Sequence, residues 1–437
     1  MSIVKTLLLG TAAGLVAAAS AGAADLPMRK AAPVEYVRIC SAHGTGFFYI
    51  PGSETCLRIS GRARAEYLYV EPGTRADNAS GFRGRGRINI DARTDTAYGT
   101  LRTFIRYEAT VDSGSYLGAT PRTVEFFGLN KAFVQFAGIT AGRVTSFFDF
   151  YANDVNFGGL PTGSDTDGAD PVVFAYTASF GNGFSATIAV EDPAARRVVG
   201  AGGGLAGTAP VLYAGQRMPE IVGNIAVEQP WGNAQLSGAV HQIMALNRDL
   251  VGGYVDTEYG FAVQAGVKLN LPFLAPGDLL WLQAAYANGA VNYLGIGSGL
   301  TQRSVDTVQG DAFVDALGDV KKTEGFVLAA AILHYWTPQI RQGVFGSYGK
   351  LDYSSSVEAA LIPGTGARAP GSVVDTTWWQ IGTNLTWSPV ADLDIGAEVV
   401  YRTVDPKGRV FDFTTAAPRT VSKDDAFEAR LRVQRDF

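Results

Sequence analysis

The segment from Phe427 to Phe437 reads FEARLRVQRDF and sorts its side chains by parity. Phe427, Ala429, Leu431, Val433 and Phe437 share one side; Glu428, Arg430, Arg432, Gln434 and Asp436 share the other. Successive side chains point to opposite faces of a strand, so this stretch predicts a strand with an oily face and a charged face. One such strand would suit a soluble sandwich. Here the pattern recurs along the whole chain, behind an export signal. Lipid on one face and water on the other select for it, so the sequence predicts an all-β fold, an antiparallel transmembrane β-barrel in the bacterial outer membrane.

Residues 1–23 are read as a secretory signal peptide. Lys5 is the positive start, LLLGTAAGLVAAA the short apolar run, and Ala21-Gly22-Ala23 the cleavage site. Residues 24–56 form a periplasmic or lumenal segment, and 57–437 form the barrel. After the signal the longest apolar run, Gly325 to Trp336, has twelve residues between Glu324 and Thr337. A spanning helix needs roughly 20. The formal charge of −5 becomes −6 without Lys5. That mild acidity offers nothing to nucleic acid.

The two cysteines, Cys40 and Cys56, meet an oxidising periplasm in an exported chain, where such a pair bonds. The turn-rich segment between them lets its ends meet, and a closed loop of this size stabilises by about 3 kcal/mol. There is no CxxC and no Cys/His spacing of a zinc site, so no metal and no cofactor is expected.

Sixteen strands are expected, at 57–69, 82–93, 101–111, 127–136, 139–145, 172–180, 184–191, 221–229, 234–245, 258–271, 278–288, 323–336, 339–353, 374–387, 393–404 and 427–437. Short turns alternate with longer loops throughout. An even count with short periplasmic turns fits a single-chain bacterial barrel. The first three strands place Arg58, Arg62, Arg64, Arg83, Arg85, Arg87, Arg102 and Arg106 on the face opposite their apolar residues. So many arginines on one face require that face to be wet. Around Gly325–Leu333 both faces are apolar, and near Trp281 and Arg341 the alternation is unclear. Sixteen strands enclose a lumen wide enough for water, whereas eight would be filled by side chains. Tyr67, Tyr69, Trp336, Trp379, Trp387 and Tyr401 sit near strand ends, as interfacial aromatics do.

Three stretches carry a family likeness: VEYVRICSAHGTGFFYIPGSETCLRISG from Val34, LNKAFVQFAGITAGRVTSFFDF from Leu129, and the LRVQRDF ending. Together they resemble the alphaproteobacterial, rhizobial-type general porins. The resemblance implies a homotrimer of sixteen-stranded channels passing small hydrophilic solutes and ions. It also implies that Cys40 and Cys56 are paired, and that the loop after the fifth strand, 146–171, folds inward as a constriction. Its surroundings would be outer-membrane lipid and lipopolysaccharide. Phe437 ends the strand at the place where barrel-insertion machinery reads resembling proteins.

The long loop contains Asp149, Asp154, Asp165, Asp167 and Asp170 and no Lys or Arg. Folded inward, it would face the arginine ladder across a water-filled gap, and such charge tunes ion preference. Asp165, Asp167, Gly168 and Asp170 also look like part of a calcium loop, but the further ligands and the closing Glu are absent. The only histidines are His43, His241 and His334, with no G-x-S-x-G, H-E-x-x-H or P-loop. No enzyme is expected, which leaves an outer-membrane hydrolase the remotest reading. The nearer rival is a substrate-specific channel, for sugars for example, which would need an aromatic track in the lumen. The inward positions are mostly Arg, Asp, Asn, Ser and Gly, with scattered Phe104 and Trp378.

Overall fold

Alternation of lipid-facing and water-facing residues produces sixteen strands that close on themselves. A computed structural model describes residues 38–118, 122–150, 155–158, 170–200, 204, 206–296, 299–303, 305–369, 371–412 and 419–437. The signal sequence and Asp154, Asp165, Asp167 and Gly168 of the acidic loop lie outside the described residues. Among those described, the barrel strands are β1 (Cys56–Val70), β2 (Ser80–Thr96), β3 (Gly99–Ser113), β4 (Thr123–Phe136), β5 (Ile139–Arg143), β6 (Val172–Gly181), β7 (Phe184–Glu191) and β8 (Glu220–Gln229). They continue as β9 (Gly232–Ile243), β10 (Glu258–Asn270), β11 (Leu279–Asn288), β12 (Glu324–Thr337), β13 (Ile340–Asp352), β14 (Thr376–Val390), β15 (Leu393–Pro406) and β16 (Asp424–Asp436). Each pairs antiparallel with its neighbours in sequence, and β1 pairs with β16 from Arg62↔Asp436 to Val70↔Glu428, which closes the ring.

The outer face is apolar. Ile59, Phe82, Ile88, Leu431 and Val433 are exposed, whereas Glu66, Asp91 and Gln434 on the inner face are buried. Cross-strand aromatic contacts, Tyr107 with Phe127 at 5.5 Å and Trp379 with Tyr401 at 5.4 Å, add packing on the lipid side. The β4–β5 turn uses Ala137 at φ 50° and Gly138 at φ 84°. Two positive φ values make the tight turn whose twist matches an antiparallel hairpin.

Cys40 and Cys56 form a disulfide with a Cα–Cα distance of 5.9 Å. It holds the segment before β1 against the periplasmic end of the wall, where Phe48 pairs with Leu57. Phe47 there packs beneath Arg93, whose guanidinium carbon is 4.8 Å from the ring centre.

The loops at the opposite end are not plain connections. They fold into the mouth and share a hydrophobic core containing Val291, Tyr293, Leu294, Phe313, Leu351 and Val373, all buried. Short strands stiffen them, with Ala209–Pro210 pairing with Ala312–Val314, which in turn pairs with Val320–Lys322.

Candidate functional site

β5 ends at Arg143 and β6 begins at Val172, and the chain between them turns into the lumen. Its first turn is fastened to β7: Ser146 Oγ donates to Glu191 Oε2 at 2.7 Å and the Phe147 N–H donates to Oε1 at 3.0 Å. Inward amides of the next strands then hold its carbonyls. Asn224 donates to Phe147 O at 2.7 Å, Gln235 to Asp149 O at 3.1 Å and Gln264 to Phe148 O at 2.8 Å. Further along, Asn384 donates to Val155 O at 2.6 Å, and Glu398 accepts from the Phe157 and Gly158 N–H groups. Arg432 of β16 ends the track, donating to Phe157 O at 2.6 Å. The described parts of the loop therefore line the inner wall from β7 to β16.

Three inward glycines give the loop its seats. A Cβ on Gly266 would lie 2.3 Å from the Phe150 ring, one on Gly343 2.8 Å from Val155, and one on Gly396 2.6 Å from Phe157. Phe150 also meets Trp281 edge-on at 5.0 Å, and Val155 packs with Trp281, Ala331 and Phe345. Where Phe150 and Val155 cover it, the wall is apolar.

The opposite wall, β1 to β4, carries the arginines. Arg62 pairs with Asp436 at 2.5 Å, Arg83 with Asp112 at 2.6 Å, and Arg102 with Asp91 at 2.9 Å. Glu108 serves both Arg85 at 3.2 Å and Arg87 at 2.7 Å. Arg64 Nε donates to Gln434 at 2.8 Å and Arg106 Nε to Asn89 at 2.8 Å. Arg58 lies away from this group, at the periplasmic end, 5.9 Å from the centre of the Phe47 ring. The passage between loop and wall is lined by Arg62, Arg64, Arg87, Arg106, Lys131 and Asp170, with Val155, Asn156 and Phe157 of the loop and Arg432 beside them.

Of the expected acids, Asp170 stands 3.6 Å from Lys131, on the basic wall. Asp149 is turned toward Arg196, 3.0 Å away, with both side chains buried. Burial alone would lower the Arg196 pKa, but Asp149, then Tyr293 and Glu191, outweigh it and raise it. Lys131, Arg341, Arg430 and Arg432 join the lumenal charges without having been assigned a constriction role. Parity in FEARLRVQRDF marks Arg430 and Arg432 as inward. Lys131 follows an irregularity in the β3–β4 register between Arg106 and Tyr107, where alternation breaks.

Beneath the outer loops lies a buried polar chain. His241 Nδ1 is 2.6 Å from Glu220, and its Nε2 is 2.6 Å from Tyr213 Oη, which donates to Asp311 at 2.6 Å. Tyr293 Oη donates to Glu220 at 3.0 Å. Burial pushes Asp311 above the usual carboxylate range, against His241, Tyr213 and the Val198 and Val291 N–H groups. His241 thus faces inward from β9, but under a cover of loops rather than open water, and does not form part of the passage.

The sequence profile of the porin subfamily matches residues 25–429. Porin Omp2b of Brucella canis (strain ATCC 23365 / NCTC 10854 / RM-666) is 32% identical over 304 residues, covering 66% of this chain and 75% of that protein. Porin Omp2b of Brucella suis biovar 1 is 31% identical over 301 residues with the same coverage. Among solved structures, the outer membrane channel DcaP of Acinetobacter baumannii superposes with a TM-score of 0.59 at 16% identity, over 89% of this chain and 99% of that one. OprB of Pseudomonas putida superposes with a TM-score of 0.51 at 11% identity, over 87% and 94%. The two structural likenesses speak for the fold, and the Brucella relatives for the lineage. With a closed barrel, a wet charged lumen and a loop laid inside it, the chain belongs to the alphaproteobacterial general porins and is an outer-membrane channel.

Proposed function

We propose that this channel passes small hydrophilic solutes and ions by passive diffusion, and that its selectivity is set where the inner loop faces the β1–β4 wall. The observation that carries the reading is the course of the loop. It is held to the wall at Glu191, Gln264, Asn384 and Arg432, so the remaining passage runs beside the arginines. The basic members are Arg62, Arg64, Arg85, Arg87, Arg102 and Arg106, with Asp154, Asp165 and Asp167 as the acidic side. Charges facing each other across water are each weak at pore width in salt, so their sum governs. The homotrimer rests on membership of the porin family.

The test is the reversal potential of reconstituted channels in a dilute salt gradient. Neutralising Arg85, Arg87 and Arg102 shifts it toward cations, and neutralising Asp165 and Asp167 shifts it toward anions. Both sets leaving it unchanged would make these residues wall rather than filter. A single-protomer band in mild detergent would count against the trimer.

A further inference from the structure

Four arginines occupy directly opposed positions on neighbouring strands: Arg62 is in register with Arg87, and Arg64 with Arg85. Opposed residues of an antiparallel pair hold their Cβ atoms about 4.5–5.5 Å apart, and like charges there destabilise a sheet. Arg106 on β3 and Arg432 on β16 border the block. Among the described residues, three carboxylates come within ion-pair distance of these six guanidinium groups: Asp436 at Arg62, Glu108 at Arg85 and Arg87, and Glu66 at Arg432. Six positive charges against three negative leave an excess of three.

Two of the three charges have a location. Among the described residues, Arg64 and Arg106 each have no carboxylate in ion-pair contact, and each uses Nε on a neutral side chain, Gln434 and Asn89. Registers Arg62↔Arg87 and Arg87↔Glu108 put Arg64, Arg87 and Arg106 on one diagonal across β1, β2 and β3. Diagonal neighbours on a sheet face stand roughly 7–8 Å apart. All three line the passage. Guanidinium forks match the oxygens of phosphate and carboxylate, and one small ion with two or more charges can engage two of them at this spacing.

The geometry points to a docking position for small multivalent anions on the Arg64–Arg87–Arg106 diagonal, so that the channel favours phosphate-like and di- or tricarboxylate solutes over neutral molecules of equal size. This rests on the lumen being an open diffusion path. Arg85 and Arg87 share Glu108, so Arg64 and Arg106 supply two of the three unneutralised charges.

Inorganic phosphate is the probe. Reconstituted wild-type channels are recorded in dilute KCl of fixed concentration while potassium phosphate is added, with potassium acetate added to the same potassium concentration as the reference. Phosphate is expected to reduce the chloride current saturably. Arg64→Gln with Arg106→Gln should abolish that reduction while KCl still conducts, and Arg64→Lys with Arg106→Lys should retain part of it. If the double Gln variant does not assemble, each single Gln variant serves and should weaken the effect. A wild-type channel that conducts KCl with no saturable response to phosphate overturns the docking position alone, as does a response unchanged in the Gln variants. A wild-type protein that does not conduct KCl overturns the diffusion reading and the docking position with it.

Discussion

Arg196 Nη2 donates to Asp149 Oδ1 at 3.0 Å, and both side chains are buried. The pair joins the first turn of the inner loop to the segment that leaves β7. Tyr293 of the outer-loop core lies against the same guanidinium, 4.4 Å from its ring centre. Removing one member of a buried pair leaves an uncompensated charge, at about 3–5 kcal/mol. Arg196→Leu is therefore expected to lower the unfolding temperature markedly and to make single-channel current noisier. Replacing both residues by Leu should recover much of the stability. Equal melting of wild type and Arg196→Leu in the same detergent would refute the tie.

Gly396 is a seat for Phe157, since a Cβ there would come within 2.6 Å of Phe157 Cζ and 3.0 Å of Leu385 O. Overpacking of this kind costs about 1–3 kcal/mol. Gly396→Ala is expected to lift the Phe157 end of the loop and change single-channel conductance, while Gly84→Ala, where nothing lies within 4 Å, leaves it unaltered. Conductance histograms of the two variants decide the point.

The disulfide closes a separation of 16 residues. In the chain-entropy account its loss destabilises by about 3 kcal/mol. Cys40→Ser with Cys56→Ser should lower the unfolding free energy by about that amount without altering conductance. A changed conductance would mean that the segment before β1 shapes the passage as well as bracing the wall.

Phe437 closes the ring through backbone bonds, Gly61 N–H to Phe437 O at 2.8 Å and Phe437 N–H to Gly61 O at 3.1 Å, while its ring faces outward. Deleting it is expected to reduce the amount of assembled protein in the outer membrane more than it lowers the melting temperature of what does assemble. Comparing the two quantities in one strain is the check, and normal membrane levels would count against it.

The strands were legible because lipid and water impose a period of two, clearest where the lumen is open, as in β1, β2 and β16. The pattern blurred at Gly325–Leu333 and Trp281 for a physical reason. There the inner face meets Val155 and Phe150 of the loop instead of water, so Ala329, Ala331 and Trp281 are apolar on the covered side. The inward course of the loop was anticipated through the family likeness and its length. The partner of Asp149 was not, because Arg196 sits 47 residues on, in a different loop, with no local pattern connecting them. The outer-loop core escaped too. Val291, Tyr293 and Phe313 follow neither a strand nor a helix period, and only the fold brings them together. The arginine ladder was visible as a set, but its neutralisation by Asp436, Glu108 and Asp91 depends on strand register.

Surface loops ordinarily tolerate sequence change. Here Phe148 of the inner loop and Tyr293 of the outer loops touch at 4.6 Å within one buried core. A change at residues anchoring the outer loops would disturb the packing of the inner loop as well. Variation should therefore collect at exposed tips such as Leu250 and Val251 and spare the anchors. The outward face and the inner loop are thus coupled through a single packed interior.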